Sequence, residues 1–488
     1  KKNGRLVKAS WDEAFEAVRS GMKRILEDHS PDQILVTASP KLTNEELYLA
    51  GRFARDGMGT NNLHSFYKLN NGADYHALDD MFGGTFSTVG VEDLENADLY
   101  IVLGGNPTAE NPVLGWRMKR KIRQGAKAVI INSSEIDLVR HATAWADPRR
   151  GTSTVLLSGI IAELIRRNKI NIEYIKSKTA KFEGLKEKFV KYDLNEVSSI
   201  TGVASSTLNN IVDILSDPDK KIVAWYNIES RIDRSTDDLK ALATLMMLLG
   251  KIGSEGSGIA LFSNQANYTG QQLAGFDNRT IPGGYASNDT NGLNKLNKVW
   301  NKNLTSLMQN SGTNISRKIR EDKIRAAFIF GENPAISQEY NSFINNLEFL
   351  VVADMFRTET VNTADVFLPL SSYLETTGSF TNWSGMQQQL NPIGEPLSGL
   401  KTIDILKRLC DIVACKANYN TVDDVSKEFA ALIHPNLKNG RLNGTFITQD
   451  GKAHFVLYSD MTTSTSASTA QVLALDARMS DKMKLIRI

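Results

Sequence analysis

Two cysteines in 488 residues are too few for the four thiolates of a common iron–sulfur cluster. Cys410 and Cys415 fall in an apolar helical stretch from Ile403 to Val413 and beyond, and read as reduced thiols packed in a helix. The six histidines are scattered, with none in H-x-x-x-H or H-E-x-x-H spacing, so no zinc site is expected. No apolar window reaches the roughly eighteen residues that a membrane-spanning helix needs. The opening Lys1-Lys2-Asn3-Gly4-Arg5 lacks the apolar stretch of a signal peptide, and, since it does not begin with Met, a segment upstream of Lys1 is expected. A net charge of +2 leaves no global field toward nucleic acid or an acidic membrane surface. The basic run Arg117, Lys119, Arg120, Lys121, Arg123 reads as the solvated face of one helix. These absences point to a cytoplasmic protein without direct membrane insertion.

What remains is an ordinary globular composition, 41% hydrophobic and 23% charged. The length exceeds one core and implies two to four domains. Ser10-Trp11-Asp12-Glu13 is a capping box opening an amphipathic helix over Ala14–Leu26. Gln33-Ile34-Leu35-Val36 then reads as a short buried strand. Helices and short apolar strands alternate from there, which predicts an α/β fold with parallel sheets covered by helices.

An approximate internal repeat is the most informative feature. One copy runs from the strand Leu99–Leu103 through Gly104-Gly105-Asn106-Pro107 and a helix starting near Pro112 to the strand Ala128–Ile131. The other runs from Ala326–Phe330 through Gly331-Glu332-Asn333-Pro334 and a helix to Phe349–Val352, leading to Asp354. Each is a βαβ unit with G-x-N-P at the carboxyl end of its first strand, the edge where doubly wound sheets bind ligands. Glycine there admits close approach, and a helix start offers free N–H groups. Between the copies, Gly250–Gly258 holds a glycine cluster that ends a Leu/Met-rich helix over Leu239–Leu249. Met461–Ala470 reads as a Ser/Thr-rich linker.

In this order the pieces resemble the molybdopterin oxidoreductase superfamily, and within it formate dehydrogenase large subunits. The resemblance rests on Gly4–Ala14, Gly104–Pro107, Arg150-Gly151-Thr152 and Leu249–Gly258. It continues through Gln265, Asn267 and Gly270, Asp354–Thr360, Ala364–Pro369 and Glu375–Asn382. It covers roughly residues 4–460 and implies two Rossmann-like lobes with parallel sheets. One would be discontinuous, 1–67 plus 271–430, and the other inserted at 68–270, with 431–488 a shortened terminal segment. The family's N-terminal 4Fe-4S domain and most of its C-terminal β-barrel are expected to be missing. The implied cofactor-binding residues are Gly105, Asn106, Arg150, Gly151, Thr152, Asn333, Thr358 and Asn382.

Departures from the family decide the functional reading. The resemblance puts Asn70 where formate dehydrogenases carry a Cys or selenocysteine metal ligand, Asn71 at their His, and Ser263 at their substrate-orienting Arg. A neutral amide is a poor ligand for a high-valent metal and no proton acceptor. Asn132 and Ser153 stand where the family usually carries Asp, which weakens acceptance of guanine N–H groups. The family's E-G-R-x-Q becomes Ser384-Gly385-Met386-Gln387-Gln388. Lost active-site residues on this body resemble the large peripheral-arm subunit of respiratory complex I. Three readings stand open: a non-catalytic subunit beside iron–sulfur and flavin partners, a molybdopterin guanine dinucleotide enzyme with unusual metal ligation, and a nucleotide- or pterin-binding sensor. Iron–sulfur clusters are expected upstream or on partner subunits.

Overall fold

The computed structural model describes residues 5–71, 73–189, 191–229, 237–309, 311–415, 417 and 419–458. It divides into two compact units. The first comprises the chain up to Asn70, Gln265–Asn382 and Met386–Pro435; the second comprises Asn71–Asn264, Trp383–Gly385 and the chain from Asn436 on. The stretch Met461–Ala470 lies outside the described residues.

Ten strands build the two main sheets. In chain order they are β1 (Ile34–Ala38), β2 (Leu63–His64), β3 (Leu99–Leu103), β4 (Lys127–Ile131), β5 (Ala144–Ala146), β6 (Ile222–Asn227), β7 (Gly258–Phe262), β8 (Ala326–Phe330), β9 (Phe349–Asp354) and β10 (Val366–Pro369). The first unit's sheet has the order β10-β9-β8-β1-β2, and the second unit's β5-β4-β3-β6-β7. Every pairing in both is parallel. Counted from the strand that carries G-x-N-P, both sheets read 3-2-1-4-5; in the first unit the last two strands come earlier in the chain, so one sheet is a cyclic permutation of the other. Both have the topological switch point beside that strand, β8 against β1 and β3 against β6.

The strands are apolar on both faces because helices cover both faces. β1, β3, β6, β7, β8 and β9 are buried at every position. In the second unit Tyr100, Val102, Ile130, Val223, Trp225 and Phe262 form one core with Met118 and Ile122 of helix Pro112–Arg123. Trp225 and Phe262 stack with centroids 3.7 Å apart. In the first unit Leu35, Ala327, Ile329, Leu350 and Val352 pack against Tyr340, Phe343 and Ile344 of helix Gln338–Asn345. The capping box at Ser10 and Glu13 forms as read, and its helix Trp11–Asp28 buries Phe15, Val18, Met22 and Ile25 at three- and four-residue spacing. Helix Asp237–Leu248 ends before Gly250, whose φ of +68° only glycine adopts without strain. Residues Ala453–His454 pair in parallel with Thr179–Ala180 in the second unit. No helix among the described residues is long and apolar enough to cross a membrane.

Candidate functional site

The first unit holds a cavity of about 450 Å³ at the carboxyl edge of its sheet, lined by Lys41, Glu46, Gly331, Asp354, Thr358 and Thr376 among others. Glu46 is the most unusual of these. It sits in the first turn of helix Asn44–Arg52 and closes a capping box with Thr43, taking the Thr43 N–H on Oε2 at 2.9 Å. Its Oε1 is buried without a hydrogen-bond partner. Glu45 beside it is fully used, accepting from Ser379 N–H at 2.8 Å and from the Ser379 and Ser426 hydroxyls at 2.7 Å each. Burial raises the Asp354 carboxyl above its ordinary range, and Lys41 partly offsets this.

Burial pushes the Glu46 carboxyl up from 4.5 to about 7, with Glu45 adding to the rise. The folded chain therefore binds a proton there that the unfolded chain has released. That contribution to stability is fully present below about 4.5 and is lost as pH rises toward 7. Glu46→Gln keeps a capping acceptor and removes the titration. It is expected to match wild type in urea unfolding below pH 4.5 and to exceed it by about 3 kcal/mol above pH 7. An equal difference at both pH values would contradict the buried-acid description.

The second G-x-N-P loop borders this cavity. Gly331 has φ +68°. The Asn333 amide is spent inside the loop: Nδ2 donates to Glu359 at 2.6 Å, and Oδ1 accepts from the Thr360 N–H at 3.1 Å and hydroxyl at 2.8 Å. Thr358 caps helix Glu359–Thr363. Both residues thus shape the cavity wall through the loop they fasten. Asn382 closes a turn, its Oδ1 and N–H bonding to the Met386 N–H and carbonyl at 3.1 Å each.

The first G-x-N-P loop, in the second unit, is braced in a related way. Gly104 has φ +69° with open space around it. The Asn106 N–H donates to Glu110 at 2.8 Å, and the Glu110 carboxylate also accepts from Asn227 at 3.0 Å. Asn132 donates from Nδ2 to the Gly105 carbonyl at 3.0 Å. An aspartate could not make that bond, so the amide at this position has a structural use. Beneath Gly105 lies the Trp225 indole, whose Nε1 is buried without a partner; a Cβ on Gly105 would come within 3.3 Å of it. Arg150 is exposed, Gly151 has φ +79°, and Thr152 is buried with its hydroxyl on the Arg149 carbonyl at 2.6 Å.

Asn70 and Asn71 close the short helix Phe66–Asn71, and their side chains lie outside the described part of the chain. The Ser263 hydroxyl donates to Glu229, whose other oxygen accepts the Asn264 N–H at 2.8 Å. The Tyr75 hydroxyl donates to Glu229 at 3.1 Å as well. Burial raises the Glu229 carboxyl above its ordinary range, and the bonds from Ser263 and Asn264 oppose this. Position 263 thus faces a carboxylate.

Reading the sequence for chemistry missed Glu46 and Glu229. The first had a signal, since Thr43-Asn44-Glu45-Glu46 ahead of Leu47 is a capping box. The motif residues Gln265–Gly270 and Gly378–Thr381 prove to be partners of that same segment: Asn267 bonds to Leu42 O at 2.8 Å and Thr381 N at 2.7 Å, and Asn44 bonds to Ser379 at 3.0 Å and Thr381 at 2.9 Å. Gly270 is obligatory in this knot, because a Cβ there would lie 1.9 Å from Asn44 Oδ1.

Comparison with known proteins gives three findings. The family model for molybdopterin oxidoreductases matches residues 1–412. The chain is 30% identical over 440 residues to the F420-dependent formate dehydrogenase subunit alpha of Methanocaldococcus jannaschii, covering 88% of this chain and 63% of that one. It is 27% identical over 440 residues to formate dehydrogenase H of Escherichia coli, covering 88% and 61%. It therefore spans less than two thirds of the length of these curated relatives. Among solved structures, acetylene hydratase from Pelobacter acetylenicus matches with a TM-score of 0.72 at 18% identity, over 94% of this chain and 68% of that one, a likeness of fold.

Proposed function

The chain belongs to the molybdopterin oxidoreductase family, and from that premise we propose that it is a non-catalytic, formate-dehydrogenase-like body of a multi-subunit electron-transfer complex. The observation that carries this reading is the setting of Ser263. Where the resemblance implies an arginine to hold a substrate anion, a hydroxyl and a neighbouring N–H bind the Glu229 carboxylate instead. A second anion brought there would meet like charge, and a charge-assisted hydrogen bond of about 1.5–3 kcal/mol would be missing. The amides at Asn70 and Asn71 add the loss of an anionic metal ligand and of a titratable proton carrier. The proposed setting is cytoplasmic, with iron–sulfur and flavin subunits as partners. It is supported by the relative that is itself a "subunit alpha".

The family implies molybdopterin guanine dinucleotide. Once ionised, the orphaned Glu46 Oε1 on the wall of a 450 Å³ cavity is an acceptor of the kind a guanine ring's N–H groups require. The orphaned Trp225 N–H under Gly105 is a donor for an oxygen-rich group. On this reading Glu46, Asp354 and Gly331 would hold one nucleotide end in the first unit, and Gly105, Asn106 and Trp225 would hold another in the second. When bound, such a group supplies dithiolene sulfurs to a metal. The amide at Asn70 does not fit that metal. The test is elemental analysis of the protein as isolated. Molybdenum and tungsten are expected far below one atom per chain, whether or not pterin is extracted; stoichiometric metal would overturn the reading.

A further inference from the structure

Helix Pro112–Arg123 carries five cations and no acid in the sequence PVLGWRMKRKIR. Leu114, Gly115, Met118 and Ile122 face its core. Val113, Trp116, Arg120 and Arg123 follow one another at three- and four-residue spacing on the opposite side, with Arg117 next to Trp116. A merely solvated face explains the cations but not the apolar residues. Of the six tryptophans only Trp116 is exposed, at 59%, and Val113 one turn earlier is 65% exposed. The Lys119 ammonium lies over the Trp116 ring, 4.8 Å from its centroid, and is held there by Asp137 at 2.6 Å. Arg117 is pinned by Glu95. Arg120 and Arg123 are exposed, and no ion pair holds either among the described residues. Trp116, Arg117, Lys119, Arg120, Arg123 and Gln124 line a shallow groove of about 570 Å³.

We propose that this helix face docks an acidic segment of a partner protein, which brings an apolar side chain to Trp116 and carboxylates to Arg120 and Arg123. Tryptophan and arginine dominate the energetic centres of protein interfaces. Two cations without partners beside an ordered aromatic ring select for carboxylates and against basic surfaces. A nucleic acid fits less well. The face is only about 18 Å long, and a net charge of +2 provides no wider basic field for a phosphate backbone to follow. The inference does not depend on whether the chain is catalytic.

The probe is a fluorescein-labelled amphipathic peptide with glutamates on one helical face and leucines on the other, titrated into the full chain by anisotropy. Parallel arms use a glutamate homopolymer and a single-stranded oligonucleotide of equal charge. Saturable binding of the amphipathic peptide is expected, weakened about tenfold or more by Trp116→Ala and by Arg120→Glu with Arg123→Glu. All three positions are exposed, so far-ultraviolet circular dichroism should match wild type; Arg120→Gln with Arg123→Gln serves if the charge reversals do not fold. No saturable binding would overturn the proposal. So would binding indifferent to Trp116→Ala, or tighter binding of the homopolymer or the oligonucleotide than of the amphipathic peptide.

Discussion

Introducing Asn70→Cys together with Ser263→Arg is expected to leave formate-dependent dye reduction at the level of the metal-free control, as is Asn70→Cys alone. The first substitution supplies a thiolate, which a high-valent metal prefers to an amide. It leaves position 263 unchanged, where Glu229 is bonded by Ser263, Asn264 and Tyr75. An arginine at position 263 would pair with that carboxylate, because the two positions are already within hydrogen-bonding reach. The guanidinium would be neutralised before a formate ion arrived, so the charge would be restored without its use. Asn71 would still offer no titratable group. Formate oxidation by either variant would show that the site needs only its ligand, and that position 229 does not govern substrate binding.

Arg55→Met is expected to destabilise the first unit by about 3–5 kcal/mol, the cost of removing one partner from a buried charged network. Arg55 is 1% exposed and is the centre of that unit's polar core. Its guanidinium donates to Asn61 Oδ1 at 2.9 Å and to the carbonyls of Gly275 at 2.8 Å, Asp277 at 2.7 Å and Thr280 at 2.7 Å. Burial lowers its pKa to about 10, with Asp277 partly offsetting the effect. Methionine fills similar volume, takes the Arg55 donor from the carbonyls of Gly275 and Thr280, and leaves the Asp277 carbonyl only the long 3.4 Å bond from the Thr280 N–H. Lysine restores charge but not the fork that reaches several acceptors at once, so Arg55→Lys should recover only part of the loss. The measurement is amide hydrogen exchange across residues 275–283, which should accelerate in Arg55→Met. Unchanged protection there would mean that the carbonyls find other donors.

The parallel sheets were legible because their strands are continuous apolar runs and their loops repeat one motif. Leu99–Leu103 with Gly104–Pro107 and Ala326–Phe330 with Gly331–Pro334 needed only local pattern to be read as matching βαβ units, and both form in parallel sheets. The cyclic permutation of the first sheet was not legible, since β1 and β2 lie more than 250 residues before β8 and carry no mark of which edge they join. Position 263 could be read as a lost arginine, but not as the partner of Glu229, because that pairing is made by the fold across 34 residues of chain. Glu46 is the same case: its capping box is local, whereas its orphaned oxygen follows from what packs around it. The amides at Asn106, Asn132 and Asn333 were legible as candidate ligand contacts or losses, but not as braces of their own loops, which they also are. Hydrogen bonds at that range depend on side-chain placement, which periodicity does not carry.

The decisive measurement is formate-dependent reduction of an artificial dye by the wild-type protein, isolated with whatever subunits accompany it, against a control stripped of metal. No formate-dependent rate above that control is expected on the proposed reading, because Asn70 carries an amide rather than an anionic ligand, and Ser263 bonds to a carboxylate rather than standing as a cation. A rate above the control that Ser263→Ala or Glu229→Gln changes would contradict the non-catalytic reading and place the chemistry at this site.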